Sequence, residues 1–401
     1  MQPTRCNILI VGAGITGLTI ARELLRRGVE DLVILEKEKE VGLHASGRNS
    51  GILHAGIYYS PDTLKAKFCV EGNRLMKAFC REHQLTLKET GKVIVTQDIH
   101  QLPMLEELKN RAHLSGAPAF LIDQKQLQEH EPYAATCEKA LFSPETARIN
   151  PREILKALEK ELHVSGQVRL LANTVFVRPK SDQAIETNRG VIAFKKLINA
   201  AGAHADRIAH QFGLAKEYQI LPFKGTYKKL VKEKEFMVRS NIYPMPDLRN
   251  PFLGVHLTRT ADDQVYAGPT AIPAFGRENY HLLDGLSIES LSILYRDAVL
   301  FVQNEAFRGV ALREPQKYLT RFLLQEAKKL MPQLRLADLQ ATPKVGIRPQ
   351  LVHWPKRQLV MDFLTLQDDH SLHILNAISP AFTSSMSFAK YVADKFTSLC
   401  L

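Results

Sequence analysis

The sequence predicts an α/β fold built on parallel βαβ units and interleaved with an α+β second domain on an antiparallel sheet, and three observations predict it. An apolar run, Ile8-Leu9-Ile10-Val11, passes straight into Gly12-Ala13-Gly14-Ile15-Thr16-Gly17 and a helical stretch, and a second run, Leu32-Val33-Ile34-Leu35, ends on Glu36. Two more β-branched segments, 168–177 and 191–199, are separated by polar turns and preceded by a helix that starts at Asn150-Pro151. From Leu221 to Ile272 the pattern changes to short strands broken by Pro, Gly and Asp-Asp, as in an antiparallel sheet.

The first βαβ unit carries a dinucleotide fingerprint. Gly12 permits the tight turn, Gly14 lets a pyrophosphate approach the backbone, and Gly17 lets helix and strand pack closely. The helix start at Ile15 and Thr16 offers N–H groups and a positive dipole end to phosphate. Glu36, roughly 20 residues on, can accept both hydrogen bonds of a ribose, with Lys37 beside it. A carboxylate there repels a 2′-phosphate, which argues against NADP.

After Glu36 the chain does not continue as alternating helices and strands. The polar, glycine-rich segment His44-Ala45-Ser46-Gly47-Arg48-Asn49-Ser50-Gly51 reads as a second phosphate cradle, with Arg48 as cation and the backbone N–H groups of Ser46 to Ser50 as donors. A helix is expected over 64–83, a strand over 91–96, and helices over 102–114 and from Pro151 to about Val164. Helices are also expected over 287–301 and 318–330. Residues 373–376 form the last strand, and a closing helix over 383–399 places Phe388, Tyr391, Val392 and Phe396 at core spacing. The expected domains are 1–88, 146–215 and 344–401 for the dinucleotide, and 89–145 and 216–343 for the substrate.

The segment Gly47-Arg48-Asn49-Ser50-Gly51-Ile52-Leu53-His54-Ala55-Gly56-Ile57-Tyr58-Tyr59 is the most specific string in the chain, followed by Leu64-Lys65-Ala66. With it go Asn199-Ala200-Ala201-Gly202, Pro222-Phe223-Lys224-Gly225, Pro251-Phe252-Leu253-Gly254-Val255-His256, Gly346-Ile347-Arg348 and Asn376-Ala377-Ile378-Ser379-Pro380-Ala381-Phe382-Thr383. On these residues, spread in order over nearly the whole length, the chain resembles the D-amino-acid-oxidase-like FAD-dependent oxidoreductases, and within them the L-2-hydroxyglutarate oxidase/dehydrogenase family. The resemblance implies a Rossmann-like FAD-binding domain and oxidation of L-2-hydroxyglutarate to 2-oxoglutarate. Hydride would pass from the α-carbon to flavin N5, and electrons onward to oxygen or a quinone. It also implies that backbone at Val175 holds the adenine, that Ala201 and Gly202 pass beneath the dinucleotide, and that Gly346, Pro380, Ala381 and Thr383 line the flavin.

That reaction needs a base near neutral pH for the hydroxyl proton, and histidine suits it. His54, a few residues beyond the cradle loop, is the first candidate, and His256, on a strand of the second domain, is the other. A dicarboxylate substrate needs cations and hydroxyl donors; Arg348, Lys224, Lys65 and Arg259 are the candidate cations, with Tyr58 and Tyr59 as donors. Lys224 stands where the family usually has arginine, and Phe382 where it has a small residue, so a related activity on glycerol 3-phosphate or a secondary amine is the nearest alternative.

Composition narrows the remaining classes. The net charge of +11 comes from dispersed residues, and the small cluster Lys228, Lys229, Lys232 and Lys234 is interleaved with Glu233 and Glu235. Without a recognition module this does not favour an RNA-binding flavoprotein, but it leaves room for peripheral contact with a membrane surface. Five scattered cysteines with no C-x-x-C pair argue for reduced thiols in a cytoplasmic protein, with no metal site. Neither a spanning segment nor a signal peptide is expected.

Overall fold

The computed structural model describes residues 4–246, 252–281 and 284–397, so Pro251 and Cys400 lie outside the described residues. The chain forms two compact units, one of Met1–Asn49, Pro151–Pro222 and Arg348–Leu401, the other of Ser50–Asn150 and Phe223–Ile347.

The first unit is built on a sheet in which Val168–Leu171, Leu32–Leu35, Thr4–Val11 and Gly190–Asn199 run parallel as neighbours. Its central residues, among them Leu9, Ile10, Val33 and Ile34, are fully buried, because helices cover a parallel sheet on both faces. Gly190–Asn199 is long enough to pair Ala184–Thr187 along its first half and Ser371–Asn376, in parallel, along its second. The helix Ile15–Arg26 packs against Pro151–Val164 and against the closing helix Ala381–Thr397. Phe388, Val392 and Phe396 are buried, so the apolar stripe of the closing helix is core.

The expected strand over 168–177 is two strands. Val168–Leu171 belongs to the parallel sheet, while Phe176–Ser181 forms an antiparallel hairpin with Ala184–Thr187. Between them the chain bends back onto the end of the second strand, where Asn173 N–H donates to the Glu38 carbonyl at 2.9 Å and Thr174 N–H to the Glu36 carbonyl at 2.9 Å. Asn173 takes a positive φ of 50° there, a conformation asparagine tolerates better than most residues.

The second unit holds an eight-stranded sheet, in the order Leu339–Gln340, Lys228–Leu230, Val265–Gly268, His256–Arg259, Asn241–Pro244, Lys92–Val95, Lys139–Ser143 and Phe120–Asp123. Its strands pair antiparallel except Lys92–Val95 with Asn241–Pro244, which run parallel. The two faces follow from strand alternation. Val93, Val95, Ile242 and Leu257 pack with Leu323, Ala327, Leu330 and Met331. Ile94, Leu141 and Tyr243 face the other way, onto Ala55, Ile57, Tyr58 and the Leu105, Leu108 and Ala112 side of the helix Leu102–Leu114.

Residues 50–88, expected with the dinucleotide domain, cluster with the second unit. The cause is a three-stranded sheet in which Ile52–Leu53 and Leu87–Lys88 both pair with Ala147–Ile149. The helix between them, Leu64–Glu82, is capped by Thr63, whose hydroxyl accepts from Ala66 N–H. The described cysteines are free thiols, and burial pushes Cys6 and Cys69 up to about 12. Among the described residues no helix is long and apolar enough to cross a membrane.

Candidate active site

The glycine turn of the first unit is shaped by close approach. A Cβ on Gly12, whose φ is +107°, would lie 2.6 Å from the Ala200 carbonyl oxygen, and one on Gly17 would lie 2.0 Å from the Gly12 carbonyl oxygen. Neither position admits a side chain, so the strand, the turn and the first helix stay packed as a phosphate-binding turn requires. Gly14 is the residue before the helix Ile15–Arg26, and Ile15 N–H donates to Ser46 Oγ at 2.9 Å. One orphan donor of the helix start is thereby tied to the second cradle segment, with Thr16 following it.

Glu36 is buried, and its carboxylate bridges the fingerprint. Oε2 accepts from Ala13 N–H at 3.2 Å and Oε1 from Glu38 N–H at 3.0 Å. Lys37 pairs with Glu38 at 2.6 Å, and the Glu38 carboxyl, held by Lys37 and then by His44, lies below the usual range. In the cradle loop Arg48 Nε donates to the Leu43 carbonyl at 2.7 Å and Asn49 Nδ2 to the Ser46 carbonyl at 2.7 Å. Ser50 and Gly51 fall in the second unit. Ala201 N–H donates to Asn199 Oδ1, while Asn199 Nδ2 meets buried His373, which desolvation pulls down to about 4. Gly202 follows with φ +56°. Val175 is exposed, and its N–H is engaged by Asn188 Oδ1 at 2.8 Å. Pro380 precedes the closing helix, and Ala381 and Thr383 lie in its first turn, with Thr383 buried.

In the second unit a group of rings collects on the Tyr243 side of the sheet. His54 meets Tyr243 edge-on, with centroids 6.3 Å apart at 86°, and Tyr243 stacks on His256 at 4.0 Å and 18°. The His54 carbonyl accepts from Asn73 Nδ2 at 3.1 Å and Cys69 Sγ at 3.4 Å, so the helix Leu64–Glu82 anchors its backbone. His256 is buried, and its Nδ1 lies 2.8 Å from the Gly254 carbonyl. A carbonyl only accepts, so Nδ1 donates and the neutral ring keeps its lone pair on Nε2.

Lys92 Nζ lies over the rings of Tyr58 at 4.2 Å and Tyr243 at 5.0 Å. Tyr58 in turn meets Tyr59, whose ring has Lys65 Nζ above it at 5.3 Å. Desolvation pushes both phenols up, so Tyr58 and Tyr59 stay protonated as donors. Tyr243 and Lys92 carry no motif. The alternation of Lys-Val-Ile-Val nevertheless sets Lys92 on the same face as buried Ile94, the one sequence signal for a cation inside.

Lys224 is buried and donates to the His281 carbonyl at 3.1 Å, and burial pulls its ammonium down. Arg259 is engaged within its own unit. Its Nε pairs with Asp263 at 3.0 Å and its Nη1 donates to the carbonyls of Glu235 and Val238, because the turn at 260–263 folds the acid back onto it. Arg348 and Gly346 lie on the strand Val345–His353; Arg348 is half-buried and belongs to the first unit, Gly346 to the second.

Residues 7–395 match the model of the FAD dependent oxidoreductase family. The chain is 34% identical to the mitochondrial L-2-hydroxyglutarate dehydrogenase of Caenorhabditis elegans, over 97% of this chain and 92% of that protein. It is 34% identical to an Escherichia coli L-2-hydroxyglutarate dehydrogenase, over 98% and 93%, and 32% identical to the human mitochondrial one, over 97% and 88%. Among solved structures it resembles L-alpha-glycerophosphate oxidase from Mycoplasma pneumoniae with FAD bound, with a TM-score of 0.75 at 21% identity over 96% of this chain and 93% of that one. Glycine oxidase from Geobacillus kaustophilus follows with a TM-score of 0.70 at 18% identity, over 98% and 94%.

Proposed function

This chain belongs to the family of FAD dependent oxidoreductases, and from that premise we propose that it oxidises L-2-hydroxyglutarate to 2-oxoglutarate. FAD is its cofactor, and the first unit fits it: the turn at Gly12 and Gly17 has no room for side chains, and buried Glu36 lies beside Ala13 N–H. Gly14, Ile15, Thr16, Ser46, Arg48 and Asn49 would hold its phosphates and Glu36 its ribose. When bound, the flavin supplies the hydride acceptor.

The observation that carries the reading is the histidine pair on Tyr243. His54 is half-buried on an anchored backbone and takes the hydroxyl proton on an imidazole nitrogen. His256 is buried, with Nδ1 committed to Gly254, and orients Tyr243 and the hydroxyl. In the second unit Lys65 and Lys224 are the candidate carboxylate cations, with Tyr59 as donor; Arg348 is the candidate of the first unit. The relatives' names support the substrate; the glycerophosphate and glycine oxidases share the fold at 18–21% identity and carry no argument about it.

Anaerobic mixing with a panel of L-2-hydroxy acids, glycerol 3-phosphate and secondary amines tests this. L-2-Hydroxyglutarate is expected to bleach the flavin; bleaching by glycerol 3-phosphate or an amine alone would overturn the substrate. Glu36→Arg is expected to weaken FAD retention at least tenfold, since hydrogen bonds to a charged group contribute about 1.5–3 kcal/mol each. The FAD content after gel filtration checks it, and unchanged retention would remove Glu36 from the site. Oxygen or a quinone takes the electrons onward. A peripheral membrane contact is supported by the exposed stripe Ile288, Leu291, Tyr295 and Val302 on the helix Ile288–Gln303.

A further inference from the structure

Lys92 stands where a strand of this kind has no use for a charge. It opens Lys92–Val95, a strand buried along its whole length, and is itself 0% exposed. Its Nζ has no hydrogen-bond partner and, among the described residues, no carboxylate within ion-pair reach. What faces it instead is the ring of Tyr58 from the 54–59 segment, the ring of Tyr243 from Asn241–Pro244, and the Cys69 thiol from Leu64–Glu82. Across Lys139–Ser143 its partner is Ser143, which carries no charge.

A buried, unpartnered amine destabilises a fold, and a hydrophobic residue of similar volume is normally neutral or better in its place. Its neighbours point to what it does. Tyr243, under its amine, is the ring on which His256 stacks and against which His54 sets its edge. We propose that Lys92 is a positioning residue for this histidine pair: its amine holds the Tyr243 ring between the two imidazoles, and its charge sets how readily they take up a proton.

The inference rests on the reading that these histidines serve the oxidation. Burial pulls the Lys92 ammonium down to about 7, with the Cys69 thiol opposing, so its charge changes within the working range of an imidazole base. Below that value it is an ammonium and disfavours imidazolium; above it the amine is neutral and the effect fades. His256, Tyr243 and Lys92 lie on three successive strands, and with the Tyr243 ring centre 5.0 Å from the amine and 4.0 Å from the His256 ring, amine and imidazole lie within about 9 Å of each other. At that distance and an effective dielectric of about 20 to 40, a unit charge moves a titration by roughly half to one pH unit.

The test uses the FAD-loaded full chain. The Cε1 resonances of its histidines are titrated by NMR, with His54 and His256 assigned from His54→Asn and His256→Asn. In Lys92→Met the midpoint of at least one of the two is expected to rise by about half a pH unit or more. The acid limb of anaerobic flavin reduction is expected to move upward with it. Lys92→Arg, which keeps the charge at every pH, is expected to leave both midpoints at or below those of the parent. Lys92→Met is expected to melt no lower than the parent. Unchanged midpoints with reduction slowed equally at every pH would make Lys92 a packing residue and overturn the proposal. A parent protein that L-2-hydroxyglutarate never reduces would overturn the substrate instead, while the histidine midpoints still report on Lys92.

Discussion

His54→Asn is expected to slow anaerobic flavin reduction by L-2-hydroxyglutarate by about 10²–10⁴-fold, with FAD still bound, because that is what a positioned general base contributes. The asparagine keeps a polar side chain of similar reach and the backbone held by Asn73, and removes only the proton acceptor. Small amines or a higher pH should restore part of the rate by offering another acceptor. His256→Asn is expected to act differently, raising the half-saturation concentration more than it lowers the limiting rate. Its ring is buried and stacks on Tyr243, and its Nδ1 is committed to the Gly254 carbonyl. If His54→Asn stays within a few-fold of the parent while reduction collapses in His256→Asn, the two roles are exchanged.

Arg348→Met is expected to raise the half-saturation concentration for L-2-hydroxyglutarate at least tenfold while leaving FAD content unchanged. Removing one partner of a desolvated, hydrogen-bonded charge pair costs about 2–5 kcal/mol, and a half-buried arginine sits at the lower end of that range. Arg348→Lys should recover only part of the loss, since a lysine keeps the charge but not the two-pronged geometry that matches a carboxylate. Arg259 is engaged by Asp263, so the cations proposed for the carboxylates are Arg348, Lys224 and Lys65. Titration of substrate against the oxidised flavin spectrum measures the effect, and an unchanged half-saturation concentration would remove Arg348 from the site.

The local chemistry of the first unit was legible in the residues themselves. Gly12 and Gly17 have to be glycine because backbone passes within contact of where their side chains would stand, and a strand that leads into Glu36 delivers a carboxylate to that turn whatever surrounds it. The closing helix could likewise be read as core from the spacing of Phe388, Val392 and Phe396. Each of these follows from a period or a steric limit acting over a few residues. The break of the expected strand at 172–175 did not follow in that way, since it is made by hydrogen bonds from Asn173 and Thr174 to residues more than a hundred positions earlier.

The dinucleotide turn, most of the helices and the residue types available for proton and carboxylate chemistry are therefore set by local sequence. Which of them meet is set by long-range strand pairing. The pairing of Ile52–Leu53 with Ala147–Ile149 carries His54 into the second unit, and the parallel pairing of Lys92–Val95 with Asn241–Pro244 sets an amine against the ring between two histidines. Arg259 is paired with Asp263 by the turn that follows its own strand. The reason is physical: a side chain's period along a strand is local and constant, but the neighbour it faces is chosen by strand register, which is set by burial of whole faces between segments far apart in the chain.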